Sequence, residues 1–205
     1  MRATELLNAA ERMRIETAVQ HVEGSTSGEI VVCVVDACDE YGSAGWRFGC
    51  VLAALTLLGV AWARPDATGA GLLAAQAVAL AVAHALGRIP GVRRWLLQDT
   101  LIEQSVRARA ARAFAEHGLA RTKARTGILI LVAVLERRVV VLADEGVERA
   151  LAPDESWQDV VDLATAGLHA RRAAEGIEAA VRRCGEILAR VSPRVGESID
   201  ELPRT

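Results

Sequence analysis

The sequence has few aromatic side chains, and its charges nearly balance. Phe, Trp and Tyr make up 3% of the 205 residues, and 24 Lys and Arg stand against 26 Asp and Glu. Surfaces that bind nucleic acid usually combine a basic patch with aromatic side chains on which bases stack. The composition therefore argues against nucleic acid as a partner, and we expect none.

Cysteines are also few, and the common catalytic motifs are missing. The four cysteines form no CxxC pair, which favours reduced packing residues over disulfides: Cys33, Cys38, Cys50 and Cys184. No GxSxG, Walker A or HExxH motif occurs, so we assign no catalytic nucleophile. Cys184 and Arg190 have the C-x5-R spacing of cysteine phosphatases, but the residues between them continue a helical pattern. We therefore regard this match as chance.

Two long stretches carry no charged residue. Residues 48–63 and 67–86 are sixteen and twenty residues long, and the segment 64–66 joins them. A helix of twenty residues is about 30 Å long, which matches the hydrocarbon core of a bilayer. The sequence therefore predicts a two-helix transmembrane hairpin. The alternative is a buried helical hairpin of a soluble protein.

Small and polar residues within this hairpin predict how its helices pack. In the second helix a small residue recurs every fourth position, a pattern that allows close approach: Gly71, Ala75, Ala79 and Ala83. Gln76 is polar and lies near the middle of its stretch. It predicts an interhelical hydrogen bond, and the alternative is a transport path.

The basic residues around the hairpin predict its orientation. More of them lie on the side of the chain termini than in the connecting turn: Arg47, Arg88, Arg93 and Arg94. By the positive-inside rule, both termini should face the cytoplasm. We therefore expect a two-span protein of the inner (plasma) membrane, with the lipid bilayer as a partner.

Outside the hairpin, short apolar runs alternate with amphipathic helical patterns. Residues 28–35 and 127–135 are aliphatic runs typical of buried strands, and residues 139–142 predict a third strand that forms a β-hairpin with the second. A helix should begin near Thr4, and others follow the hairpin and the third strand. Because the link between the first two strands is long and contains a helix, we expect these strands to be parallel. The predicted fold class is α/β, a small three- or four-stranded mixed sheet packed by helices and interrupted by the transmembrane hairpin.

Seven segments together resemble the TPM-domain family: residues 26–32, 113–118, 126–132, 136–139, 143–146, 175–177 and 200–203. Their order is similar to that of the membrane-embedded bacterial branch, in which a hydrophobic hairpin is inserted into the domain. The resemblance implies one TPM-like domain in two parts with a hairpin between them and a polar tail: residues 1–45, 46–88, 89–192 and 193–205. It also implies phosphatase activity, calcium or similar cation binding, or an accessory role in a membrane complex.

Three carboxylates should meet at one edge of the predicted sheet. If the first two strands are parallel and the third is antiparallel, this edge collects Glu29, Asp144 and Glu145. Oxygen ligands of this kind suit calcium or magnesium. The alternative is that these residues are solvated strand caps, neutralised by Arg121, Lys123 and Arg125. Compared with secreted members of the family, Arg125 and Thr126 replace an acidic residue and an asparagine, which weakens a metal site.

Two functions remain open at this point. In the first, the protein is a membrane-anchored TPM-like binding or accessory module, whose partner is a membrane protein complex. In the second, it is a divalent-metal-dependent phosphatase that acts at the acidic edge. We favour the first, because the hairpin holds the domain at the membrane and no catalytic residue can be named.

Overall fold

The computed structural model describes residues 3–39, 41–64, 66, 68–87, 89, 91–92, 98–122, 124–153 and 155–193. The chain divides into two compact units. The first, which we call the sheet unit, comprises Met1–Cys38 and Gln104–Thr205, and the second, the hairpin unit, comprises Asp39–Glu103.

The sheet unit holds three strands and most of the helices. The strands are β1 (Glu29–Val35), β2 (Gly127–Ala133) and β3 (Arg138–Ala143). The helices are α1 (Ala3–Leu6), α2 (Ala9–Ser25), α6 (Glu145–Ala150), α7 (Trp157–His169) and α8 (Ala173–Val191). The hairpin unit holds α3 (Gly42–Ala63) and α4 (Gly69–Gly87), and α5 (Asp99–Glu116) begins there and ends in the sheet unit.

The strands form one mixed sheet in the order β1-β2-β3. β1 runs parallel to β2, and β3 runs antiparallel to it. The predicted α/β fold with a small mixed sheet is therefore confirmed. One detail differs, because β1 was expected to be buried, whereas all its residues except Ile30 are half-buried. β1 is an edge strand, so only one of its sides is covered by a neighbour.

Both faces of β2 are covered, and all seven of its residues are buried. On one face, Ile128, Ile130 and Val132 belong to a core shared with buried residues of α2, α7 and α8. Side chains alternate along a strand, so Leu129 and Leu131 point to the opposite face. Helix α5 has a stripe of buried residues of its own, formed by Ile102, Val106, Ala110 and Ala113.

Helix boundaries differ from the predicted ones where a capping residue decides them. The first long helix begins after Asn8 and not near Thr4, because Asn8 and Glu11 form a capping box. The short helix α6 was not predicted. It begins after Asp144, whose side chain accepts a hydrogen bond from the Glu145 backbone. Gly118 has φ 72° just after α5, as expected of a residue that ends a helix.

Glu136 ties the turn between β2 and β3 to the end of β1. Its side chain is completely buried, and its Oε1 accepts a hydrogen bond of 2.8 Å from the backbone N–H of Cys38. Glu136 lies in the connection between the two strands of the predicted β-hairpin. The contact holds this connection against Cys38, the last residue of the first segment of the sheet unit.

Within the hairpin unit, α3 and α4 pack against each other. Gln76 Nε2 donates a hydrogen bond of 2.9 Å to the backbone oxygen of Ala53, so the predicted interhelical bond is confirmed. The hydroxyl of Thr56 donates to Leu52 within its own helix. A Cβ placed on Gly49 would lie 3.9 Å from the Ala83 side chain, which reflects the close packing that small residues allow.

Among the described residues, one helix is long and apolar enough to cross a membrane. It is Gly69–Leu86, with a mean hydropathy of 1.7 and 11% of its residues buried. The apolar part of α3, Gly49–Ala63, is shorter. The predicted two-span hairpin is therefore not confirmed. Three of the four basic residues that predict the orientation lie outside the described residues: Arg88, Arg93 and Arg94. The tail after residue 193 also lies outside them.

We expect Gly167→Ala to destabilise the sheet unit. A Cβ at Gly167 of α7 would lie 2.5 Å from the Cα of Gly176 in α8, so the two helices must move apart. Overpacking of this kind costs about 1–3 kcal/mol, which thermal unfolding in detergent would detect. Gly24→Ala is the matched control, because nothing lies within 4 Å of that position and alanine favours the helix. Equal melting temperatures of the two variants would contradict the prediction.

We expect Glu136→Ala to lower the free energy of unfolding by about 2 kcal/mol, since it removes the buried acceptor of the Cys38 N–H. Glu136→Gln keeps an oxygen at this place and should cost less. Hydrogen exchange at Cys38, measured with both variants, distinguishes the lost bond from a general loss of stability. Slow exchange of this amide in Glu136→Ala would show that the carboxylate does not protect it.

Candidate functional site

The sheet register brings two of the three predicted carboxylate residues to one edge. Glu29 pairs with Gly127 across the β1-β2 ladder. On the other side of β2, the backbone N–H of Asp144 donates a hydrogen bond of 2.8 Å to the Gly127 oxygen. Neighbouring strands lie about 4.8 Å apart, so the backbones of Glu29 and Asp144 are about 10 Å apart. Glu145 follows directly in the first turn of α6.

Asp144 is the buried member of this group. Its side chain is 8% exposed, and its Oδ1 accepts a hydrogen bond of 2.7 Å from the Glu145 N–H. Its Oδ2 is buried and accepts no hydrogen bond from any described residue. A buried carboxylate oxygen without a donor is costly unless positive charge lies nearby.

That positive charge belongs to Arg125. Its Nη1 lies 3.7 Å from Asp144 Oδ1 and 3.6 Å from Glu145 Oε2. The guanidinium thus lies beside both carboxylates, and Glu145 also forms an ion pair with Arg149 in the next turn of α6. The arrangement is a chain of charges on a half-exposed edge, since the Arg125 and Glu145 side chains are 59% and 51% exposed.

The backbone holds Arg125 in this position. Its φ is 52°, in the left-handed region that non-glycine residues rarely adopt. Its carbonyl accepts a hydrogen bond of 3.0 Å from the Gly146 N–H. A side chain at Gly146 would collide with the carbonyl oxygens of Ala124 and Arg125, so glycine is required for this close approach. The loop before β2 is therefore fixed against the first turn of α6.

The structure does not bring all predicted residues together. Glu29 takes part in neither ion pair of Arg125. Among the described residues, no group of three His, Cys, Asp or Glu side chains is placed to hold a metal ion. Lys123 lies outside the described residues. The calcium or magnesium site at Glu29, Asp144 and Glu145 stays a prediction.

Sequence reasoning missed part of this edge. The sequence indicated Asp144 as a strand end, although an aspartate followed by Glu145 and Gly146 is also typical of a helix start. Arg125 was considered only as one of three neutralising residues, and nothing in the sequence indicates its positive φ.

Cys184 has no catalytic character. It lies fully buried within α8, and burial raises the pKa of its thiol to about 12, so that the thiolate is essentially absent at neutral pH. Its neighbours up to Arg190 are helical, so their backbone N–H groups bond within α8 and form no phosphate-binding loop. The C-x5-R spacing therefore carries no function here.

The NMR structure of the BA42 protein from the psychrophilic bacterium Bizionia argentinensis is similar, with a TM-score of 0.58 over 96% of this chain and 91% of that chain. The two sequences are 20% identical, so this similarity shows the fold alone. A comparison with curated proteins finds no significant match.

The sequence also matches one family model. The match covers residues 94–187 and is described as a TPM domain. It includes β2, β3, α6 and the residues around Arg125, whereas β1 and the helices α3 and α4 precede it. Residues 94–187, slightly less than half of the chain, are thus similar to the TPM domain.

Proposed function

We propose that the protein is a binding or accessory module anchored in the inner membrane by α3 and α4. The observation that carries the proposal is the apolar surface of the hairpin unit. Nine large apolar side chains of these helices are exposed: Val51, Leu55, Leu57, Leu58, Trp62, Leu73, Val78, Leu80 and Val82. In water such a surface would be unfavourable, whereas lipid covers it.

The polar groups of these helices are compatible with a lipid environment. Gln76 and Thr56 each donate a hydrogen bond to a backbone oxygen, which lowers the cost of placing these polar side chains in hydrocarbon. Trp62 is 89% exposed near the end of α3, where an aromatic residue favours the headgroup region. These features support two spans, with the apolar part of α3 completed by its flanking residues.

The module's partner is, in this proposal, a membrane protein complex. The sheet unit provides a stable domain, and membrane attachment keeps that domain close to other membrane proteins. Mild detergent extraction followed by native electrophoresis tests this part. Migration in a species larger than the isolated chain in detergent supports the proposal, and migration only as the isolated chain contradicts it.

A divalent-metal-dependent phosphatase is the alternative that the sequence raised. It needs a cation among Glu29, Asp144 and Glu145. The described side chains do not fit such an ion, because the Arg125 guanidinium already lies beside two of the three carboxylates. We therefore derive no catalytic step from this edge, and the binding module is the function we propose.

We expect the double substitution Leu55→Arg and Val78→Arg to release the protein from the membrane. These apolar side chains are 60% and 63% exposed and lie near the middle of their helices. An arginine at the centre of a span costs about 3 kcal/mol of insertion free energy. Alkaline extraction of membranes measures the change, with the wild type in the pellet and the variant in the supernatant.

Met13→Arg is the matched control for this test. Met13 lies on α2 of the sheet unit and is 67% exposed, so arginine there should leave membrane association unchanged. Extraction of the wild type at alkaline pH would contradict the proposal that α3 and α4 anchor the protein in the membrane.

We expect a cysteine at Asp66 to react from outside the cell. Asp66 lies between α3 and α4 and is exposed. With both termini in the cytoplasm, an impermeant maleimide should label Asp66→Cys in spheroplasts. It should label Met13→Cys only after permeabilisation. The opposite labelling pattern would show that the orientation is the reverse of the proposed one. Labelling of the wild-type protein measures the contribution of its native cysteines.

A further inference from the structure

The buried carboxylate of Asp144 needs a nearby positive charge. Its side chain is 8% exposed, and its Oδ2 accepts no hydrogen bond from the described residues. Its Oδ1 already accepts from the Glu145 N–H. A carboxylate in this position is unfavourable unless a cation compensates it. Either a divalent metal ion or an arginine side chain could supply this positive charge.

A divalent ion does not fit beside Arg125. Calcium and magnesium need several oxygen ligands at about 2.0–2.6 Å. The guanidinium of Arg125 lies 3.6 Å from Glu145 Oε2 and 3.7 Å from Asp144 Oδ1, beside both carboxylates that a shared ion would need. A guanidinium carries a positive charge, so it would repel the ion.

The conformation and hydrogen bonds of the backbone hold Arg125 beside α6. Arg125 has φ 52°, and its carbonyl is hydrogen-bonded to the Gly146 N–H. Thr126, the next residue, donates its backbone N–H to the Thr122 hydroxyl. The peptide group between Arg125 and Thr126 is thus hydrogen-bonded through both its carbonyl oxygen and its N–H, which keeps the root of the Arg125 side chain next to α6.

We propose that the Arg125 guanidinium takes the place of a divalent cation at this edge. The wild-type protein then binds neither calcium nor magnesium here. Removal of the guanidinium exposes Asp144 and Glu145 as oxygen ligands and converts the edge into a cation site. This inference does not depend on membrane anchoring.

Arg125→Gly is the variant that tests the proposal. Glycine adopts a positive φ without strain, and it adds no oxygen ligand of its own. Any binding gained must therefore use the existing carboxylates. Calorimetric titration of the full chain in detergent with calcium or magnesium chloride measures it. We expect no saturable heat with the wild type and a dissociation constant of about 10⁻³ M or tighter with the variant.

Two further variants make the result specific. Arg125→Gly combined with Asp144→Asn should lose the gained binding. Arg149→Ala removes a positive charge from the same Glu145 and leaves Arg125 beside Asp144, so it should gain none. Circular dichroism confirms that each variant is folded, and a melting temperature raised by calcium only in Arg125→Gly is the second readout.

Two outcomes would overturn the proposal. One is saturable binding by the wild type that Asp144→Asn abolishes, because the ion and the guanidinium would then coexist. The other is a folded Arg125→Gly protein that binds no cation, because the guanidinium would then not be what keeps the ion out.

Discussion

The structure depends on the burial of β2 from both sides. All seven of its residues are buried, which requires cover on each face of the sheet. One face is covered by α2, α7 and α8, and Leu129 and Leu131 are fully buried on the other. Because β1 and β2 are parallel, the chain between them must cross over with a helix, and α5 is that helix. The helices α3 and α4 of the hairpin unit also lie between β1 and β2 in the sequence.

The fold could be predicted where periodicity determines it. The aliphatic runs predicted the strands and their pairing, and the helical patterns after the third strand predicted helices where α7 and α8 lie. Helix boundaries that depend on one hydrogen bond were harder to predict from the sequence. Asn8 starts α2 through a capping box, and the six-residue α6 depends on the Asp144 side chain. Such contacts carry little periodic signal, although their residue types are informative in retrospect.

The sequence predicted which residues lie at the candidate edge of the sheet, but it did not predict how their charges are arranged. Strand directions alone place Glu29 and Asp144 on either side of Gly127. The sequence left two interpretations of the carboxylates open, a cation site or neutralisation by arginine. The choice between them depends on the position of one guanidinium, which follows from the positive φ of Arg125 and the close approach of Gly146. No residue pattern encodes that combination.

The contact between Gln76 and Ala53 has a consequence for sequence drift. The acceptor is a backbone carbonyl, which every residue type supplies, whereas the donor is one particular amide side chain. This contact therefore limits the residue type at position 53 only in its size. At position 76, variation is limited by chemistry, because losing the amide would remove the hydrogen bond between the helices. Two residues in one contact should thus evolve under unequal constraint.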